Sequence, residues 1–204
     1  MKSIQRLTLC CVLACAPLGI AHAQLTPAPT GPAGASTSND TKRAAYDSAV
    51  KQADSDYKAA KDKCDAMKGN ARDVCRAQAK GDYSVAKANA TVDRDGTEAA
   101  RNRAAKERAE ADYGVAKTKC DAMKGNDKDS CVKDAKAAYT RAKGAEDVSH
   151  AKATGTAKDV SEARRDAAKD TNDANYKAAK ERCDAMSGDA KTTCQNDVAA
   201  KFKK

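Results

Sequence analysis

From Tyr46 to Met67 the chain places Tyr46, Val50, Ala53, Tyr57, Ala60, Cys64 and Met67 in steps that alternate four and three. Lysine, aspartate, glutamine, serine and alanine fill the positions between. Steps of this kind hold one stripe on one side of a helix, in the rhythm of a coiled-coil seam. Cys131, Ala135, Ala138, Ala142 and Ala145 keep the same rhythm and predict a second helical seam. Elsewhere the stripe is fainter. Alanine buries little area, so an isolated arm of this composition is marginal in water and needs a partner.

The seam stops at a turn. "CDAMKGNARDVC" runs from Cys64 to Cys75, "CDAMKGNDKDSC" from Cys120 to Cys131, and "CDAMSGDAKTTC" from Cys183 to Cys194. Were any of these one continuous helix, eleven residues at 1.5 Å each would hold its cysteines about 16 Å apart. A disulfide needs Cα atoms within about 7 Å. The residues favour a break. Gly69, Gly125 and Gly188 suit the left-handed position just past a helix end. Asn70, Asn126 and Asp189 follow and suit an N-cap, with Asp73 and Asp129 three residues beyond the two asparagines. Each stretch is therefore expected to be an αα-hairpin whose turn lies midway between its own cysteines. The expected pairs are Cys64 with Cys75, Cys120 with Cys131, and Cys183 with Cys194.

Tyr57, Tyr113 and Tyr176 precede the first cysteine of each pair by seven residues, and Tyr83, Tyr139 and Phe202 follow the second by eight. An aromatic pair is expected across each seam, about two turns below the staple. "TVDRDGT" at 91–97 and "ATGT" at 153–156 interrupt the helical pattern. Thr156 with Asp159 three residues on has the spacing of a capped helix start. The expected organisation is a signal peptide at 1–23, a disordered Pro/Gly/Ser/Thr-rich tether at 24–40, and helical hairpins at 41–91, 97–153 and 156–204. The fold class is all-α: three disulfide-stapled antiparallel hairpins, expected to share few contacts with one another.

Composition supports thin helices and excludes a large core. Beyond residue 23 there are one leucine, no isoleucine, nine valines and one phenylalanine, and tryptophan is absent. Such a chain cannot bury a sizeable globular interior, whereas alanine, lysine, arginine and glutamate sum favourably in helices. A staple closing so small a loop is worth roughly 3 kcal/mol in the chain-entropy model, a substantial share of stability here. The net charge is +9, but bases and acids are interleaved. Asp47–Lys51, Asp54–Lys58 and Asp129–Lys133 have the spacing of helix-supporting pairs. An interleaved surface is not the clustered footprint of a nucleic-acid binder, and nucleic acid is not an expected partner.

Lys2 and Arg6, an apolar run from Leu7 to Ile20, and Ala21-His22-Ala23 have the three parts of a secretory signal, with cleavage expected after Ala23. The rival is a lipoprotein cut before Cys15. The run is too short to span a bilayer, and no other apolar run follows. Three cysteines leave with the leader and six remain, which favours disulfides in an exported, periplasmic chain.

No nucleophile–base pair or carboxylate constellation stands out, so no catalytic residue, cofactor or enzymatic activity is expected. Zinc lacks a C-x-x-C, and His150 is the only histidine after the leader. Copper(I) is the alternative reading: Cys64, Met67 and Cys75, and their counterparts around Met123 and Met186, offer soft sulfur ligands. The stretches "YKAAKDKCDAMKGNARDVC" and "NYKAAKERCDAMSGDAKTTC…AAKFKK" resemble small exported Ala/Lys-rich proteins of proteobacteria, some labelled cell envelope biogenesis protein TolA. The resemblance implies a periplasmic helical protein and carries over no catalytic residue. Segments rich in Ala, Lys, Asp and Thr also look like stress-protective helical proteins. The expected function is a non-enzymatic structural or interaction role, with an envelope protein or an anionic envelope surface as partner.

Overall fold

The structure is a computed structural model that describes residues 33–204, with side chains from residue 38. The expected signal peptide and cleavage site, Cys15 and the first part of the expected tether lie outside the described residues. Six helices follow in order: α1 (Ala33–Asp65), α2 (Gly69–Asp95), α3 (Glu98–Cys120), α4 (Gly125–Thr154), α5 (Ala157–Asp184) and α6 (Gly188–Phe202). Every described element is an α-helix. The chain is all-α and forms three antiparallel hairpins, α1–α2, α3–α4 and α5–α6, each closed by a disulfide.

Helix α1 begins at Ala33, directly after the last proline of the sequence, and not at Thr41. A helix propagates until a residue forbids it, and the Ala, Gly, Ser and Thr of 33–38 only weaken it. Residues 33–40, expected in the tether, are thus helical.

The three hairpins do not stand apart. Helix α2 packs along α3 and α4 packs along α5, so α2 to α6 form one layer in which each helix touches its sequence neighbours. The expectation of weakly connected hairpins is corrected by glycine. A Cβ on Gly81 would lie 2.8 Å from Ala111 Cβ, and one on Gly144 would lie 2.8 Å from Ala167 Cβ. Glycine against alanine lets backbones approach until the seam is closed without large side chains.

Two seams per inner helix also displace the stripe expected on α4. Ala135, Ala137 and Gly144 are buried, while Ala138, Ala142 and Ala145 are exposed. Helix α4 turns Cys131, Ala135 and Tyr139 toward α3 and Gly144 toward α5. A single heptad stripe cannot describe a helix covered on two sides. On α1 the stripe holds: Ala53 and Cys64 are buried, and Tyr46, Val50, Tyr57 and Ala60 half-buried. Met67 departs from it, 44% exposed. It lies beyond the helix end, its N–H bonded to the Cys64 carbonyl at 3.0 Å.

The hairpins are joined at the other end of the layer by tight reversals. Gly96 ends α2 at φ +61°, its N–H donating to Val92 O at 2.7 Å, and Thr97 caps α3 by accepting from Ala100 N at 3.2 Å. At the second reversal Thr156 Oγ1 accepts from Asp159 N at 3.3 Å, and Asp159 Oδ2 accepts from Thr156 N at 2.7 Å. This reciprocal capping holds the Asp159 carboxyl below the usual carboxylate range, first through the Thr156 backbone N–H and then through its hydroxyl. Ion pairs to Lys128 and Lys191 depress Asp121 and Asp184 in the same direction. Carboxyls with folded pKa values below their unfolded values contribute stability above about pH 4, and it is lost as pH falls through the folded values. We expect the thermal midpoint to be flat from pH 7 to about 5 and to drop below about 4. In Asp159→Asn the acid-induced drop should be smaller, because one of the depressed carboxyls is gone. Thermal scans of both proteins across this range check it.

Candidate functional site

The hairpin tips hold the residues that repeat most closely, and at their centre are the staples. Cys64–Cys75, Cys120–Cys131 and Cys183–Cys194 are bonded, with Cα–Cα separations of 5.4, 5.6 and 5.6 Å. Cys64, Cys120 and Cys183 are wholly buried and are the largest fully buried side chains among the described residues. Otherwise the core is alanine, with Val115. The first half of each disulfide is thus core as well as cross-link, while Cys75, Cys131 and Cys194 are half-buried. Gly69, Gly125 and Gly188 adopt φ of +58°, +53° and +58°, which L-residues with a Cβ rarely adopt. Each opens the returning helix.

Below each staple an aromatic pair closes the seam. Tyr57 and Tyr83 stack with centroids 5.0 Å apart, Tyr113 and Tyr139 lie at 5.2 Å, and Tyr176 meets Phe202 edge-on at 6.1 Å. Tyr83 donates its hydroxyl proton to Asp54 Oδ1 at 2.6 Å and accepts from Lys87 Nζ at 3.0 Å. Its counterpart Phe202 has no hydroxyl, and there Lys204 Nζ pairs with Asp173. The carboxylate at this point of the repeat keeps a partner by different means. Asp54 therefore turns to Tyr83 and not to Lys58. Likewise Lys133 reaches across to Glu181 at 4.0 Å rather than to Asp129. Neither these pairs nor Asp47–Lys51 forms the ion pair that its helical spacing allows; the acids and bases are used between helices as well as within them.

Asn70, Asn126 and Asp189 do not cap their own helices. The N-cap positions are Lys68, Lys124 and Ser187, none with a side-chain capping bond. Asn70 Nδ2 instead donates to Thr118 O at 2.6 Å, and Asn126 Nδ2 donates to Asp184 O at 3.0 Å. Each amide satisfies a carbonyl in the last turn of the first helix of the next hairpin. A tight glycine turn directs the following side chain outward across the layer, and the neighbouring helix end offers a carbonyl acceptor. In the third hairpin the position is Asp189, which as a carboxylate cannot donate. The asparagine is therefore a link between hairpins. Asn126→Asp should remove the donor and set a negative charge against the carbonyl end of α5. The expected cost is about 1 kcal/mol, read as a lower denaturant midpoint with unchanged disulfides. Asp189→Asn should leave the midpoint within error.

The aspartate after each first cysteine makes a second recurring contact. Asp65 accepts from Arg76 at 2.7 Å, Asp121 pairs with Lys128 at 2.8 Å, and Asp184 pairs with Lys191 at 2.8 Å. These pairs brace the turn on its solvent side, where such contacts are worth little individually.

Met67, Met123 and Met186 are 44–46% exposed. The cysteine sulfurs are bonded to each other, so no thiolate is on offer beside them while the staples are closed. Copper(I) held by cysteine and methionine together would first require reduction. No group of three or more His, Cys, Asp or Glu with metal-site geometry occurs among the described residues. No helix among them is long and apolar enough to cross a membrane. Compared with known proteins, the chain matches no family model, no curated protein and no solved structure.

Proposed function

We propose that this is a non-enzymatic helical repeat protein of an exported, oxidising compartment, with a structural or interaction role in the bacterial cell envelope. The observation that carries the reading is the core: among the described residues its only fully enclosed side chains larger than alanine are Cys64, Cys120 and Cys183, each half of a disulfide, and the remainder is alanine with Val115. A fold so dependent on oxidised cysteine belongs where disulfides persist. The leader-like start of the sequence and the resemblance to exported Ala/Lys-rich proteins labelled TolA support the same compartment. The open helix layer, with charged side chains along its length, offers surface to a partner.

The test has two parts. Expressed in a Gram-negative host with its own leader, the protein should be recovered from the periplasm starting at Gln24, without free thiols. Immobilised in that oxidised form, it should retain a defined partner from periplasmic extract at physiological salt. Binding that washes off as bulk charge-dependent material, with nothing defined retained, would overturn the interaction role.

A further inference from the structure

The surface of the α4–α5 pair differs between its two sides. One side carries Lys133, Lys136 and Lys177 together with Asp170 and Asp173, the mixture typical of this chain. The other is an open groove of about 680 Å³ floored by Gly144, Ala145, Val148, Ala167 and Ala168. Its charged residues are Arg141, Lys152 and Arg164, with no acid among those lining it. None of the three cations makes an ion pair among the described residues; Arg141 reaches only the neutral Asn175 Oδ1, at 3.5 Å. A groove lined by Tyr57, Lys61, Arg76 and Lys80 also lacks an acid, but there Arg76 is already paired with Asp65 at 2.7 Å, whereas at the α4–α5 groove all three cations are left to an outside partner.

We propose that this groove docks an acidic amphipathic helix of a partner protein. The inference rests on the interaction role proposed above and names the surface that performs it. The distribution of charge selects the occupant. Arg141 and Lys152 are eleven residues apart on α4, about 16 Å along the helix. The apolar floor lies between them, with Arg164 on the opposite wall. An anionic lipid has its charge at one end, and its acyl chain would run toward a second cation. A shallow, open floor also leaves an acyl chain largely wet, whereas small-molecule sites bury most of their ligand. An extended peptide would leave its backbone unpaired, since a helical layer offers no strand edge. A helix satisfies its own backbone, lays a small apolar face on the alanine floor, and places acids about three turns apart opposite the cations. The protein already packs helix on helix over such a surface, where Gly81 meets Ala111.

The probe is a synthetic eighteen-residue helix of alanine, leucine and glutamate, with glutamates three turns apart flanking an Ala/Leu face. Its lysine-for-glutamate counterpart is the control. Titration calorimetry with the full oxidised chain should show the acidic peptide binding and the basic one not. The triple variant Arg141→Gln/Lys152→Gln/Arg164→Gln should weaken binding at least tenfold. Lys133→Gln/Lys136→Gln/Lys177→Gln, of equal charge change, should alter it less than twofold. No binding of the acidic peptide, or equal losses in the two triple variants, overturns the proposal. So does groove-dependent binding to phosphatidylglycerol vesicles without binding to the peptide, which would assign the groove to a lipid surface. The two readings fail separately. A periplasmic partner retained equally by wild type and groove variant sinks the groove alone. Peptide binding without any retained partner sinks the envelope role alone.

Discussion

Reduction of the three disulfides is expected to remove most of the helical signal at 37 °C. Each staple closes a loop between cysteines eleven apart in sequence, worth roughly 3 kcal/mol in the chain-entropy account. Three together are comparable with the whole stability of an ordinary domain, about 5–15 kcal/mol. The rest of the core cannot compensate, because its buried side chains are alanine and a single valine. The measurement is circular dichroism at 222 nm before and after a phosphine reductant. More than half the helical signal should go, and reoxidation should restore it. A midpoint unchanged within a few degrees would show that the alanine and aromatic seams suffice alone. Opening single staples should have graded effects. Cys120→Ser/Cys131→Ser frees α3 from α4 in the middle of the layer, where α2 and α5 are held by those same helices. Cys183→Ser/Cys194→Ser frees only α6, which among helices α2 to α5 packs on α5. The middle variant should therefore lose more.

Much of this dependence is legible in the amino-acid sequence alone. The eleven-residue spacing is incompatible with both a continuous helix and a bridge, and a glycine midway resolves the conflict. That reasoning uses only helix rise and disulfide reach, so it transfers directly to three dimensions. The aromatic pairs follow from the same symmetry. Lateral packing is not legible in this way. Gly81 and Gly144 sit inside helices, where glycine is normally a cost, and nothing local distinguishes them from Gly114, which has open space around it. The role of Asn70 and Asn126 is hidden for a related reason. Their position after a glycine fits an N-cap, and the competing acceptor is 48 and 58 residues away. The one clue is the asparagine, asparagine, aspartate series, in which only the first two can donate.

Replacing Gly144 by leucine should be the most damaging single substitution outside the cysteines. Its Cβ alone would meet Ala167 Cβ at 2.8 Å and Ala167 Cα at 3.2 Å. Neither atom can rotate away, so α4 and α5 must separate along a seam that has no large side chains to refill it. Overpacking costs about 1–3 kcal/mol where a core can adjust, and this seam should sit at or above the upper end. Gly114→Ala supplies the control. Nothing lies within 4 Å of its missing Cβ, so removing a helical glycine should stabilise by about 0.5–1 kcal/mol. Urea unfolding with the disulfides intact compares the two. Equal effects would mean that helix propensity, not the close approach of α4 and α5, decides the outcome.

The asparagine links have a consequence for how such a molecule can be lengthened. The middle hairpin tip is a connector with two halves: the Asn126 amide that reaches forward to Asp184 O, and the Thr118 carbonyl that is reached from behind by Asn70. The first two units have the forward half, and the third, with Asp189, lacks it. A duplicate of the middle unit inserted before the third would find a carbonyl ahead and an amide behind. The same duplicate appended after the third would meet a carboxylate. The asparagine links therefore favour lengthening before the third unit, and one oxygen in place of one amide nitrogen makes the difference.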